Sequence, residues 1–274
     1  MASAKRAILI LGMHRSGTSL CSKIVHLMGF QAPRTLMAPT EANPEGYWES
    51  ELIYKLNDRI LEACGTQWHK RNCMSVDPLA VTRRTGLYEE LKQLLASEFG
   101  DADRIVLKDP RISRLVPLYE AVLADAGYRA TPVLVVRNPM EVAASLAKRD
   151  QFTVERAVRL WLRYTLDAER ATRGRARAII SYENTLEDWR EVVRKVADAM
   201  GEAADPLMAQ AECRAEEAAR SDLRHHELPP PAPTSWFRFL SRQAYMTTQN
   251  LLREPNDVAA TRRLDRIAVA FEVF

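Results

Sequence analysis

Cysteine is scarce and scattered in this chain. Cys21, Cys64, Cys73 and Cys213 form neither a C-x-x-C pair nor the spacing of a disulfide framework. A disulfide-built scaffold is therefore excluded, a reduced cytoplasmic setting is expected, and Cys21 reads as a small buried hydrophobe. The five histidines, at 14, 26, 69, 225 and 226, show no metal-ligand spacing, so no metal site is expected. No run is long enough to span a membrane. Residues 7–11 are apolar but too short for the core of a signal peptide, and they run into a loop without a cleavage site. Neither charge sign dominates: Lys plus Arg is 39, Asp plus Glu is 36, and the formal charge is +3. That balance gives no reason to expect nucleic acid or a membrane surface as partner. No internal repeat is present.

The 274 residues, 47% of them hydrophobic, suit one large α/β domain or such a domain with a helical extension. The chain is organised around Ile8-Leu9-Ile10-Leu11-Gly12-Met13-His14-Arg15-Ser16-Gly17-Thr18-Ser19. An apolar strand stops at glycine, and a loop carries Arg, Ser, Gly, Thr and Ser. Leu20, Ile24 and Leu27 then recur at helical spacing until Gly29. Strand, tight turn, helix aims backbone N–H groups and a helix dipole at one spot, which suits a phosphate or sulfate. Thr18 and Ser19 add hydroxyls, and Arg15 adds a charged fork. The spacing invites comparison with G-x-x-x-x-G-K-[ST], but Thr18 stands where the lysine of an ATP- or GTP-hydrolysing loop belongs. Read alone, the segment is also what a plain Gly/Ser connection looks like.

Further strands are expected at residues 104–107, 132–136 and 178–182, each a continuous apolar run, alternating with amphipathic helices. That pattern belongs to a parallel sheet covered on both faces. Helices are expected around Leu52–Ile60, Leu87–Leu95 and Leu115–Leu123, from Pro139 at a first helical position, over 153–172, and from Trp189 to Met200. Residues 31–46 and 65–78 read as long loops, the first a candidate substrate lip. Arg15, Lys108 and Arg137 all follow strands, at the carboxyl edge where open α/β sheets bind ligands. The texture changes beyond Met200. Residues 206–220 look helical, 228–233 are proline-rich, and Trp236, Phe237, Phe239, Leu240 and Tyr245 form an aromatic cluster. The apolar terminus reads as a docked helix, a homodimer contact, or a cut through a longer parent chain.

The loop from Arg15 to Ser19 resembles the [KR]-S-G-[TS]-[TS] segment of sulfotransferases that use 3′-phosphoadenosine-5′-phosphosulfate (PAPS). Arg137-Asn138-Pro139, with Ser145 beyond it, resembles that family's R-[DN]-P and serine, which hold the 3′-phosphate. Lys108-Asp109-Pro110 resembles the K-D-P of its tyrosylprotein and Golgi-type branches, whose lysine contacts the transferring group; Pro110 takes the place of the histidine of the cytosolic branch. Tyr182-Glu183-Asn184 resembles Y-E-[DN], whose tyrosine lies near adenine. Asn43-Pro44-Glu45-Gly46-Tyr47-Trp48-Glu49 resembles a motif of bacterial sulfotransferase-like proteins. A surface lysine, a carbonyl-capping arginine or a packed tyrosine would explain each of these residues singly; their order along the chain favours the family.

The resemblance implies a P-loop-like three-layer sandwich with a central parallel sheet, spanning residues 1–204, and a helical C-terminal extension, residues 205–274. It implies sulfuryl transfer from PAPS, without a metal, to a hydroxyl on a carbohydrate, lipid, peptide or small metabolite. Arg15, Ser16, Gly17, Thr18, Ser19, Arg137, Ser145 and Tyr182 would bind the donor. Lys108 and Arg15 would stabilise the departing oxygen. A glutamate would take the acceptor proton: Glu49, beside two aromatic rings that desolvate it, or Glu45, with Glu41, Glu51 and Asp109 behind them. Arg238 or Arg242 would supply a late basic group on the 3′-phosphate. The arginines at 156, 159, 163, 170 and 173 read as a solvated helix face. Two other readings stay open: a P-loop kinase-like enzyme, and a non-catalytic nucleotide-binding interaction protein.

Overall fold

The computed structural model describes residues 5–40, 43–214, 228–230, 232 and 234–273. Strand β1 (Lys5–Leu11) leads through the loop into α1 (Thr18–Leu27), and α2 (Glu51–Ala63), α3 (Pro78–Thr85) and α4 (Leu87–Phe99) follow. Then come β2 (Arg104–Lys108), a 3-10 turn (Pro110–Arg114), α5 (Val116–Asp125), β3 (Tyr128–Val136), α6 (Pro139–Asp150) and α7 (Val154–Thr172). The chain goes on through β4 (Ala178–Ser181), α8 (Tyr182–Glu187), α9 (Arg190–Met200), α10 (Ala204–Arg214), α11 (Trp236–Leu251) and α12 (Val258–Val273). Helix starts follow local chemistry: Ser50, Asn138 and Thr153 accept the N–H groups of Ile53, Met140 and Arg156, and Pro139 fills the first position of α6.

The four strands are parallel in the order β2-β1-β3-β4. Their alternate residues feed two cores. Leu9, Leu11, Leu107, Leu134 and Ile179 pack under α2 to α7, while Ile8, Ile10, Val106, Val135 and Ile180 pack under α1, α9 and α10. This is the expected three-layer sandwich with a parallel sheet. Helices α11 and α12 add Phe237, Leu240, Leu264 and Phe271 to the first core. The chain leaves β1 toward one edge and β3 toward the other, so a crevice opens between their carboxyl ends.

Several details differ from expectation. β3 starts four residues earlier, because Tyr128 to Thr131 pair with β1 although their side chains are polar or half-exposed. Tyr182 begins α8 rather than ending β4. Helix α3, capped by Asp77, begins at Pro78, the last residue of the 65–78 stretch read as a loop. The arginines of α7 are not one solvated face: Arg163 is buried, bonded to Arg71 O and paired with Asp167 and Glu272. Burial pushes the Cys21 thiol up to about 12, as fits a packing residue. Among the described residues no helix is long and apolar enough to cross a membrane.

The loop after β1 runs hard against β3. Gly12 has φ 140°, and a Cβ there would stand 2.6 Å from Val135 O. Gly12→Ala is expected to lower the unfolding free energy by about 2 kcal/mol or more in urea titrations, from combined strain and overlap. A change within about 0.5 kcal/mol, the range of an ordinary surface substitution, would show that this approach is loose.

Candidate functional site

The loop that leaves β1 is held from several sides. Gly12 N–H donates to Ser113 Oγ at 2.8 Å, and Ser16 N–H closes a turn on Met13 O at 3.1 Å. Arg15 (φ 68°) and Gly17 (φ 87°) both lie in the left-handed region, which curls the backbone into a concave turn. Arg15 adopts that conformation without being glycine, at a cost of about 1 kcal/mol or more. Gly17 caps α1 without any side-chain hydrogen bond. Among the described residues no protein acceptor takes the N–H groups of Gly17, Thr18 or Ser19. A helix N-terminus left open in this way suits an anion.

Two motifs far apart in sequence meet here. Arg15 Nε donates to Ser145 Oγ on α6 at 2.8 Å, and Arg137 Nη1 donates to Arg15 O at 3.1 Å. Arg137 is buried and fixed on three sides. Its Nε donates to Glu141 at 2.9 Å, its guanidinium lies 4.2 Å from the centre of the Tyr182 ring, and its carbonyl accepts from Trp161 Nε1 at 3.0 Å. The Tyr182 ring in turn lies against Gly17, where a Cβ would stand 2.1 Å from Cδ2. Burial and the neighbouring Arg149 and Arg137 charges hold the Arg15 guanidinium below its ordinary pKa. Arg15 has no carboxylate partner among the described residues. A cation crowded by cations favours an incoming anion.

Lys108, at the end of β2, reaches the same place. Its Nζ donates to Tyr47 O at 2.8 Å and to Glu49 Oε1 at 2.5 Å, and both side chains of that ion pair are buried. Tyr47 O also accepts from Ser19 Oγ at 3.0 Å, so one carbonyl ties the strap of residues 43–49 to the loop and to β2. Burial pushes the Glu49 carboxyl above the usual carboxylate range, against the pull of Lys108 and of Arg111, 3.8 Å away. Trp48 has φ 58° and its ring packs 5.4 Å from His26, which sets the turn that delivers Glu49 inward.

These groups line one cavity of about 620 Å³. Arg15, Gly17, Thr18, Ser19, Glu45, Glu49, Lys108, Arg137, Ser145 and Tyr182 are brought together on its wall. Ser16 is not on that wall; it is buried behind the loop with its Oγ unpartnered. Glu45 faces solvent more and pairs with Lys23 at 3.0 Å. Glu51 pairs with Lys55 on the surface. Asp109 is buried and committed: its carboxylate accepts from Asn57 and Arg111. Arg238 pairs with Glu155 on α7, and neither it nor Arg242 lines the cavity. Glu41 lies outside the described residues.

The sequence reading missed four residues. His14, Lys148 and Arg149 line the cavity, and Ser113 fastens Gly12. Arg149 follows Ser145 by one helical turn, a spacing that places both on one face of α6. His14 and Ser113 carry no such signal, because the groups that surround them come from distant parts of the chain.

The profile described as "Sulfotransferase family" matches residues 7–206, a stretch holding every cavity residue named above. A comparison with curated proteins finds no match. Among solved structures, sulfotransferase STF9 from Mycobacterium avium is similar with a TM-score of 0.50 and 16% identity, over 93% of this chain and 78% of that one. At that identity the likeness concerns the fold. The sulfotransferase domain of the olefin synthase from Synechococcus PCC 7002 is similar with a TM-score of 0.47 and 14% identity, over 90% of this chain and 97% of that one.

The buried Lys108–Glu49 pair should behave as a unit. Lys108→Met alone strands a buried carboxylate and is expected to cost about 3 kcal/mol. Adding Glu49→Gln should recover about 1–2 kcal/mol of that loss in a double-mutant cycle read by denaturant unfolding. Strict additivity of the two changes would mean that the ion pair does not form in solution.

Proposed function

The chain belongs to the sulfotransferase family, and on that premise we propose that it moves a sulfuryl group from PAPS to an acceptor hydroxyl, releasing adenosine 3′,5′-bisphosphate. The observation that carries this reading is the direct contact of the Arg15 loop with the Arg137–Ser145 motif, more than a hundred residues on, inside one cavity. The residues fit the donor. An unpaired arginine and an open helix N-terminus suit its 5′ anionic end, and a second arginine beside a serine suits its 3′-phosphate. Bound there, the donor would supply an activated sulfuryl group whose leaving oxygen belongs to a phosphate.

In this reading Arg15, Gly17, Thr18 and Ser19 hold the 5′ end, with Ser16 shaping the loop from behind. Arg137 and Ser145 hold the 3′-phosphate, and Tyr182 flanks the nucleotide from its place between Gly17 and Arg137. Lys108 and Arg15 stabilise negative charge on the departing oxygen, which is charge stabilisation by groups already in place. Glu49 takes the proton of the acceptor hydroxyl. It is preferred to Glu45 because burial raises its basicity, whereas Glu45 is more exposed and held by Lys23. Lys108 holds both Tyr47 O and Glu49. When its ammonium turns toward the sulfuryl oxygens, Glu49 loses its counter-charge and becomes the stronger base.

The acceptor enters past the strap of residues 43–49, and a polar hydroxyl compound of carbohydrate, lipid, peptide or metabolite type suits that rim. We assign donor binding to the core, residues 1–204, because no described residue beyond Tyr182 lines the cavity, and we treat residues 205–274 as its C-terminal extension. A cytoplasmic setting remains the reading that the cysteine usage favours. A kinase is disfavoured because Thr18 replaces the loop lysine and Asp109 is committed to Asn57 and Arg111.

Calorimetry with adenosine 3′,5′-bisphosphate and with ADP plus magnesium tests the reading. The bisphosphate should bind more tightly, and Arg137→Ala should weaken it about 10- to 100-fold, the range for a lost hydrogen bond to a charged group. Glu49→Gln should leave binding within a few-fold and lower sulfuryl transfer by about 100-fold or more. Transfer should fall as pH drops through the raised Glu49 pKa, since the base must be ionised, so the acid limb lies above the ordinary carboxylate range. Preference for ADP with magnesium would point to a kinase. Tight bisphosphate binding without transfer to any hydroxyl in an acceptor panel would leave a binding protein.

A further inference from the structure

The donor loop carries a histidine that the mechanism above does not use. His14 is 7% exposed and lines the cavity, and its Nε2 is buried with no hydrogen-bond partner. An orphaned buried nitrogen costs about 1–3 kcal/mol and calls for an explanation. The imidazole packs against Trp68 at 4.8 Å and against Tyr164 of α7 at 5.8 Å, ring centre to ring centre. The charges that act on it come from every other side. Arg15 follows it in the loop, Lys108 ends β2, Arg111 lies in the 3-10 turn, and Arg149 lies on α6. The nearby carboxylates are already engaged, Glu49 by Lys108 and Asp109 by Arg111 and Asn57. Burial and these four cations together keep the imidazole uncharged, with its pKa held well below the ordinary histidine value.

We propose that His14 is a further donor-binding residue, which takes up a proton when the polyanionic nucleotide enters the cavity and then stands with Arg15, Arg137 and Lys108 as a fourth cation facing it. The inference rests on the nucleotide reading of the site. Two phosphate-type groups bring several negative charges into the ring of cations that now repels a proton from His14. Their arrival removes much of that repulsion. They add little desolvation, because the imidazole is already nearly out of solvent. The balance therefore shifts toward the imidazolium, whose N–H groups are both donors. By linkage, a proton that favours the nucleotide is a proton that the nucleotide favours in return.

The test is calorimetry of adenosine 3′,5′-bisphosphate in buffers of different ionisation heat, which counts protons taken up on binding. The wild-type chain is compared with His14→Gln and His14→Asn between pH 6 and pH 8.5. The ligand's own phosphates titrate in the same way in all three proteins, so the difference belongs to His14. The wild type should take up a substantial fraction of one proton more than either variant near pH 6.5, and the difference should fade by pH 8.5. Its affinity advantage over the variants should grow about 3- to 10-fold as pH falls across that range. Equal proton uptake at every pH, with binding intact, would overturn the role of His14 and leave the nucleotide reading standing. Failure of the wild type to bind the bisphosphate would overturn the nucleotide reading, and the His14 proposal with it. If neither variant folds, the His14 imidazole is followed by NMR in the wild type, assigned through its contacts with the Trp68 ring. A rise in its titration midpoint on adding bisphosphate supports the proposal, and an unmoved midpoint overturns it.

Discussion

The site depends on how closely the first loop approaches the third strand. Gly12 sits where any side chain would strike Val135 O, and this absence of a Cβ lets the loop lie flat across the crevice between β1 and β3. Two reciprocal hydrogen bonds then lock the halves together, Arg15 to Ser145 and Arg137 to the Arg15 carbonyl. Glu141 fixes Arg137 from below, Tyr182 stacks on its guanidinium, and Gly17 leaves room for the Tyr182 ring. A shift at any of these contacts moves both ends of the proposed nucleotide site at once, because the same atoms hold them.

Electrostatics explains why such a site can fold. Several cations in one cavity repel one another, and burial makes that repulsion costly. Most of them are given a local carboxylate: Glu49 for Lys108, Glu141 for Arg137, Glu45 for Lys23, Asp150 for Arg149. Among the described residues Arg15, at the centre of the loop, has no carboxylate and is held by a serine hydroxyl instead, and Lys148 on the same wall has none either. The arrangement keeps the Arg15 charge available to an external anion, while Lys108, Arg137, Lys23 and Arg149 remain compensated without one. The Lys108–Glu49 pair joins two proposed functions in one contact, the group that steadies the departing oxygen and the group that receives a proton. What frees one frees the other.

Much of this was legible in the sequence, and the physical reason is plain. Parallel strands buried on both faces must be continuous apolar runs, and runs such as residues 132–136 can hardly be read otherwise. Anion loops need glycine, hydroxyls and a cation at fixed spacing, so Gly12 to Ser19 stood out as a candidate for the proposed donor site. What stayed hidden depends on contacts between distant segments. The four extra residues of β3 are strand because β1 pairs with them, not because of their side chains. Arg163 looks like a surface arginine until Glu272 and Asp167 close over it. Ser113 gains its place from Gly12, 101 residues away in sequence, and His14 gains its place from Trp68, in an irregular stretch without periodicity.

The central claim is that Arg15 and Arg137 face opposite ends of one nucleotide across the crevice between β1 and β3. A crystal structure of the protein with adenosine 3′,5′-bisphosphate tests it most directly. The account predicts the 5′-phosphate in the turn from Gly12 to Ser19 and the 3′-phosphate within hydrogen-bond distance of Arg137 and Ser145. A nucleotide bound in the reverse sense, or seated away from both arginines, would contradict it.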